Sequence, residues 1–172
     1  MKKAILIAIS SLFLITSCKK KSGDNPTPVN TISATVDGVN ENFNVKVTAS
    51  QTNIGGTNVL IIYGAETPET NSGTIVLEID TTANIKNGTY PVTSGIPNGF
   101  NSRTVISYNE GFATFFPSSN TAAPNSITIS HISSTNVQGT FNATLSGGAL
   151  GTASPDKTFT NGKFNVTIKQ SN

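Results

Sequence analysis

The chain has no tryptophan, one cysteine and one histidine, and only 12% of its 172 residues are charged. Each scarcity removes a class of chemistry. A lone cysteine, Cys18, permits neither an internal disulfide nor a thiolate metal site, so the folded part must draw its stability from burial and hydrogen bonds. A lone histidine, His131, leaves one candidate for a His-based metal cluster or a nucleophile–His–carboxylate triad. No Gly-x-Ser-x-Gly elbow or His-Glu-x-x-His motif stands beside it, and a structural strand-end or partly buried histidine accounts for it. Without tryptophan, a stacking platform for sugar rings loses its best residue. Basic charge is also scarce where it would matter. Past residue 30, Lys46, Lys86, Arg103, Lys157, Lys163 and Lys169 face eight carboxylates, a net charge of −2, which is not that of a nucleic-acid binder. Helix formers are few, and Ser, Thr, Asn and Gly take their place, which favours short strands joined by turns.

The one long apolar run stands at the start. Met1-Lys2-Lys3 is basic, Ala4 to Ile15 is nearly unbroken apolar, and small residues lead into Cys18. This is the three-part plan of a signal peptide, and the run is far short of the roughly 20 residues that cross a bilayer as a helix. Ile15-Thr16-Ser17-Cys18 resembles the bacterial lipobox. The resemblance implies cleavage between Ser17 and Cys18, a diacylglycerol on the Cys18 sulfur and an acyl chain such as palmitate on its new N-terminus. Two or three chains make such anchoring effectively permanent. Residues 1–17 are therefore expected to be removed, and taking 17 from 172 leaves 155, enough for one domain with a real core. Residues 18–30 are polar, carry Lys19, Lys20, Lys21, Pro26 and Pro28, and form a tether reaching about 40 Å when stretched. Lipoproteins exported to the Bacteroidota surface are associated with acidic residues after the cysteine. Only Asp24 is acidic here, which tilts the expected location to the periplasmic side of the outer membrane.

Residues 31–172 predict one all-β domain. Ile32, Ala34 and Val36 alternate up to Asp37-Gly38, and Phe43, Val45, Val47 and Ala49 alternate before Ile54-Gly55-Gly56. Val59 to Tyr63 is apolar on both faces and predicts a central strand. Ile75, Leu77 and Ile79 alternate with outward Glu78 and Asp80. Further strands are expected at Thr104 to Tyr108, Phe112 to Phe116, Ser126 to Ile132 and Gly139 to Leu145. Asn161-Gly162 fits a type I′ hairpin that sets Phe159 opposite Phe164, with Val166 and Ile168 continuing that face. Some eight to ten strands result, neighbours in sequence pairing as an antiparallel meander, either a flattened lipocalin-like barrel or a two-sheet sandwich.

The series Ser33-Ala34-Thr35-Val36-Asp37-Gly38, Gly88-Thr89-Tyr90, Ser126-Ile127-Thr128-Ile129, Val137-Gln138-Gly139-Thr140-Phe141 and Thr160-Asn161-Gly162-Lys163-Phe164 resembles the small β-rich lipoproteins of Bacteroidota. It covers most of the mature chain and supplies strand and turn grammar, with no catalytic residue to carry over. Many such proteins follow the opening Asp-Gly with an aromatic. Here Val39, Asn40 and Glu41 precede Phe43. Asp80-Thr81-Thr82 resembles the acceptor of general O-glycosylation in Bacteroidota, which implies a glycan on Thr81. Asn87-Gly88-Thr89, Asn142-Ala143-Thr144 and Asn165-Val166-Thr167 match the N-glycan acceptor, a route that a bacterial lipobox makes irrelevant.

For chemistry, Glu78 and Asp80 lie two apart and share a face, with side chains roughly 7 Å apart, as a glycosidase pair or calcium ligands need. They oppose the core face, and a solvated outer face explains them more simply. Glu66 and Glu69 flank Pro68 in a loop. Gly147-Gly148-Ala149-Leu150-Gly151 lacks phosphate-loop spacing and reads as a flexible loop. Phe112, Phe115 and Phe116 read as core sooner than as a ligand pocket. No catalytic residue, cofactor or metal is expected. The sequence predicts a non-enzymatic envelope lipoprotein held to the membrane through Cys18, with a small hydrophobic ligand or an envelope protein as partner. The alternatives are a polysaccharide hydrolase using Glu78 and Asp80, and a structural or adhesive module whose interior is filled by Phe141, Phe159 and Phe164.

Overall fold

The computed structural model describes residues 29–68, 72–93, 102–118, 125–149 and 152–170. These residues form eleven strands and no helix, so the all-β expectation holds. β1 (Thr31–Val36) turns at Asp37 and Gly38, both at positive φ as a type I′ turn requires, into β2 (Val39–Asn42). β3 (Val45–Ile54) turns the same way at Gly55-Gly56 into β4 (Thr57–Ala65). β5 (Thr74–Thr81) and the short β6 (Gly88–Pro91) follow, then β7 (Thr104–Glu110) and β8 (Ala113–Pro117) around Gly111-Phe112. β9 (Ser126–Ile132), β10 (Asn136–Ala149) and β11 (Thr152–Gln170) complete the fold.

All eleven belong to one sheet, in the order β2-β1-β11-β3-β4-β5-β7-β8-β10-β9-β6. The additional pairing of β10 with β11 closes the sheet partly into a ring, with β1-β2 and β9-β6 attached outside it. The topology is not a pure meander. β11 lies parallel to β3 over Ile168–Gln170, and β6 pairs with β9 across the intervening strands. The long strands β10 and β11 make this geometry, because each has one neighbour along one edge and two along the other.

Alternating strands point Ile32, Ile62, Leu77, Ile106, Ile127 and Leu145 inward as a single core. Tyr108 sits among aromatics, edge-on to Phe43 at 6.1 Å and to Phe159 at 5.2 Å between ring centres. The expected central strand Val59 to Tyr63 is β4, paired on both sides, and Val59, Leu60 and Ile62 are buried.

Several local expectations are overturned. Asn161-Gly162 does not turn the chain: β11 runs through it without a break. Asn161 has φ 53°, and the registers with both β1 and β10 shift here, so the dipeptide is a bulge. The extra residue returns Phe159 and Phe164, five apart on one strand, to the same inner face. Both are buried, with Val166 and Ile168, as the sequence implied, but on one strand instead of across a hairpin. A second bulge at Lys46, φ 53°, breaks the alternation expected from Phe43 through Ala49, leaving Val45 and Val47 only half-buried. Gly147 and Gly148 are not in a loop; they lie in β10 between Phe115 and Thr114 of β8 and Ser154 and Ala153 of β11. Phe112 leaves the expected strand and stands at the β7–β8 turn, 82% exposed. Phe115 is core, and Phe116 on the opposite face is half-buried.

Candidate functional site

The first candidate is the carboxylate pair of β5. Glu78 and Asp80 do share the outer face, but that face is not an open solvated one there: Asp80 is 2% exposed, and Val59, its cross-strand neighbour on β4, is 3% exposed. Arg103, just before β7, reaches across and bonds both carboxylates, Nη2 to Glu78 and Nε to Asp80. The chain sets this up locally, since the Asp80 amide also donates to the Arg103 carbonyl at 2.7 Å. Partial burial works against the Arg103 charge, yet the two carboxylates more than offset it and hold the guanidinium above its ordinary range. The second carboxylate oxygen of Asp80, Oδ1, is buried without a hydrogen bond among the described residues. Sequence reasoning placed the two acids and missed the base. Its only signal was that Arg103 is the sole arginine of the chain.

The second candidate is a cleft of about 220 Å³ at one end of the ring, lined by Val36, Asp37, Val39, Glu41, Glu66, Tyr108, Glu110 and Lys157. The β1–β2 turn supplies Asp37, the end of β7 supplies Glu110, and β11 spans them with Lys157. The Lys157 ammonium lies 2.8 Å from Glu110 Oε2 and 3.6 Å from Asp37 Oδ2. The bond to Glu110 is the chief reason its pKa rises above the usual 10.5, with burial opposing. Asp37 is locked to β11 by its backbone N–H to the Thr158 carbonyl and by its Oδ1 accepting the Thr158 N–H at 2.8 Å. Glu66 faces the cleft from the loop after β4. It accepts the Tyr108 hydroxyl at 3.3 Å and the Gly73 N–H at 3.0 Å, so it is more than the plain loop residue the sequence suggested. Burial pushes the Tyr108 phenol well above its ordinary 10.0, and the charges of Glu66 and Glu110 push it further, so it remains a hydrogen-bond donor. Nothing local in the sequence points to this cleft, because its members come from four separated segments, 36–41, 66, 108–110 and 157.

The remaining expected positions are simple to place. His131 is exposed near the end of β9, opposite Gln138. Thr81 ends β5, half-buried, with its hydroxyl accepting the Ala83 N–H at 3.2 Å. Ser17, Cys18 and Glu69 lie outside the described residues. Among the described residues, no group of three or more His, Cys, Asp and Glu side chains is placed to hold a metal ion. Among them too, no helix is long and apolar enough to cross a membrane. Compared with family models, with curated proteins and with solved structures, the chain finds no match in any of the three.

Proposed function

We propose that this chain is a lipid-anchored lipoprotein of the bacterial outer membrane whose β domain is a non-catalytic binding or accessory module. The observation that carries the reading is Ile15-Thr16-Ser17-Cys18 closing a short apolar run behind Met1-Lys2-Lys3. The anchor is Cys18, and the periplasmic side is favoured because Asp24 is the one acidic residue in the segment that follows it. The accessory role draws support from the interior, where Phe141, Phe159 and Phe164, with Phe43, Phe115 and Tyr108, occupy the space a lipocalin keeps for its ligand. A binding function therefore belongs to the surface sooner than to the barrel interior, which moves the expected partner from a small hydrophobic ligand to an envelope protein.

The hydrolase alternative loses ground for a geometric reason. A glycosidase keeps the space between its two carboxyls for the glycosidic oxygen and water, whereas here the Arg103 guanidinium fills it. Thr81 as a glycan acceptor remains part of the proposal, at a strand end where a glycan has an outward path. An intact mass equal to that of the lipidated chain alone removes it.

The anchor is tested by feeding cells a labelled fatty acid. Label on the protein, with Cys18→Ala both unlabelled and released from membranes, is the expected result. An unlabelled wild-type protein overturns the proposal.

A further inference from the structure

We propose that the end of the domain that carries the cleft is a docking surface for a protein segment that presents a basic side chain beside an apolar one. Two contacts on β11 fix the geometry. Asn30, where the tether meets the domain, accepts the Thr167 N–H through Oδ1 at 3.0 Å, while Asp37 at the other end of β1 accepts the Thr158 N–H. Nine residues of strand separate these points, roughly 25 Å allowing for the bulge. The cleft containing Asp37, Glu110 and Lys157 therefore lies at the opposite end of β1 from Asn30.

This end carries the most exposed large apolar side chain of the described residues, Phe112, 82% exposed on the β7–β8 turn, and Val39, 59% exposed on the cleft wall. An aromatic held at the tip of a two-residue turn loses little freedom on binding, and beside the cleft it offers apolar area for a partner to cover. Charge selects the partner. Four carboxylates, Asp37, Glu41, Glu66 and Glu110, face one ammonium in the cleft. Glu66 is engaged by Tyr108 and Gly73, and Asp37 by Thr158 and Lys157. The Glu41 side chain has no hydrogen bond or ion pair among the described residues, and Glu110, although paired with Lys157, is half exposed. A guanidinium or ammonium entering the cleft meets these two acids while its neighbour lies on Phe112 or Val39. The same acids repel an anionic lipid surface, so Phe112 does not serve as a second membrane anchor.

The inference deepens the binding role proposed above and does not depend on the anchor. The full-length lipidated protein in detergent micelles is titrated with a fluorescein-labelled peptide of alternating leucine and arginine, and with its leucine–glutamate counterpart. Saturable binding of the arginine peptide is expected, weakened roughly tenfold by Phe112→Ser and severalfold by Glu41→Gln, with melting temperatures unchanged. Thr89→Lys, an exposed position on β6, changes net charge by the same amount as Glu41→Gln and leaves binding intact if the cleft is the site. Equal loss in Thr89→Lys, preference for the glutamate peptide, or self-association abolished by Phe112→Ser overturns the proposal. Cys18→Ala protein binds the peptide as the wild type does, so failure of the lipid reading and failure of this one are told apart.

Discussion

Gly162 and Arg103 show how single residues decide what the strands achieve. A Cβ on Gly162 would stand 2.4 Å from the Phe141 carbonyl oxygen and 2.7 Å from its ring, a clash with backbone that no rotamer change relieves. Gly162→Ala is expected to lower stability by about 1–3 kcal/mol in denaturant titrations, and a neutral result would mean that β10 does not approach this closely. Asn161, held at φ 53°, predicts the opposite sign for Asn161→Gly, unchanged or slightly more stable, since glycine pays no penalty there. At Arg103 the issue is stranded charge. Arg103→Leu leaves the buried Asp80 carboxylate without its partner and is expected to cost about 3 kcal/mol. Arg103→Leu combined with Asp80→Leu should recover most of that loss. If the double variant is no better than the single, the bridge contributes through something other than charge pairing. The acids of this cluster were legible because a strand's period of two puts Glu78 and Asp80 on one face. Arg103 was not, because nothing local says which of two dozen intervening residues bring it back.

Most strands and many of their sequential pairings were legible from alternation, whereas β2, β6 and the partners of β11 were not. Ser126–Ile132 was read with its observed bounds, and the Asp37-Gly38 turn was where the sequence put it. The Asn161-Gly162 hairpin failed because the same dipeptide satisfies a type I′ turn and a bulge, both of which need a left-handed residue. Only the partners on either side choose, and β11 has partners on both: Val36 and Ala143 opposite Phe159, Ile32 and Gly139 opposite Phe164. A strand already paired on both edges gains nothing by folding back on itself. The same long strand supplies a short parallel seam of the ring: Ile168, Lys169 and Gln170 beside Ala49, Ser50 and Gln51. Ile168 is 4% exposed and carries most of the buried area there. Ile168→Ala is therefore expected to cost about 2–4 kcal/mol and to speed amide exchange in β3 more than in β5. Uniform acceleration across both strands would show that the seam opens only with the whole domain.

The whole molecule ties its polar end to its core through Tyr108, whose ring packs among Phe43, Phe115 and Phe159 while its hydroxyl reaches Glu66 in the cleft. This arrangement has a pH signature that a barrel with an ordinary surface lacks. The Tyr108 phenol is raised from 10.0, first by burial and then by the nearby carboxylates, and Lys157 is raised from 10.5, first by its bond to Glu110. In both, the folded state holds its proton more tightly than the unfolded chain. Below about pH 10 both states are protonated, and the stabilisation is fully present. As pH rises past the unfolded values, the unfolded chain releases protons that the folded protein keeps, so stability falls until the folded groups titrate too. Arg103, raised above its already high ordinary value, acts only beyond that window. Denaturation midpoints are thus expected to stay level from pH 7 to about 9.5 and to decline between about pH 10 and 12. Tyr108→Phe keeps the ring in the aromatic cluster and removes the ionising group, so its decline should be shallower, with Lys157→Met removing a further part. Parallel slopes for wild type and Tyr108→Phe across that range would show that the phenol does not couple the cleft to the core.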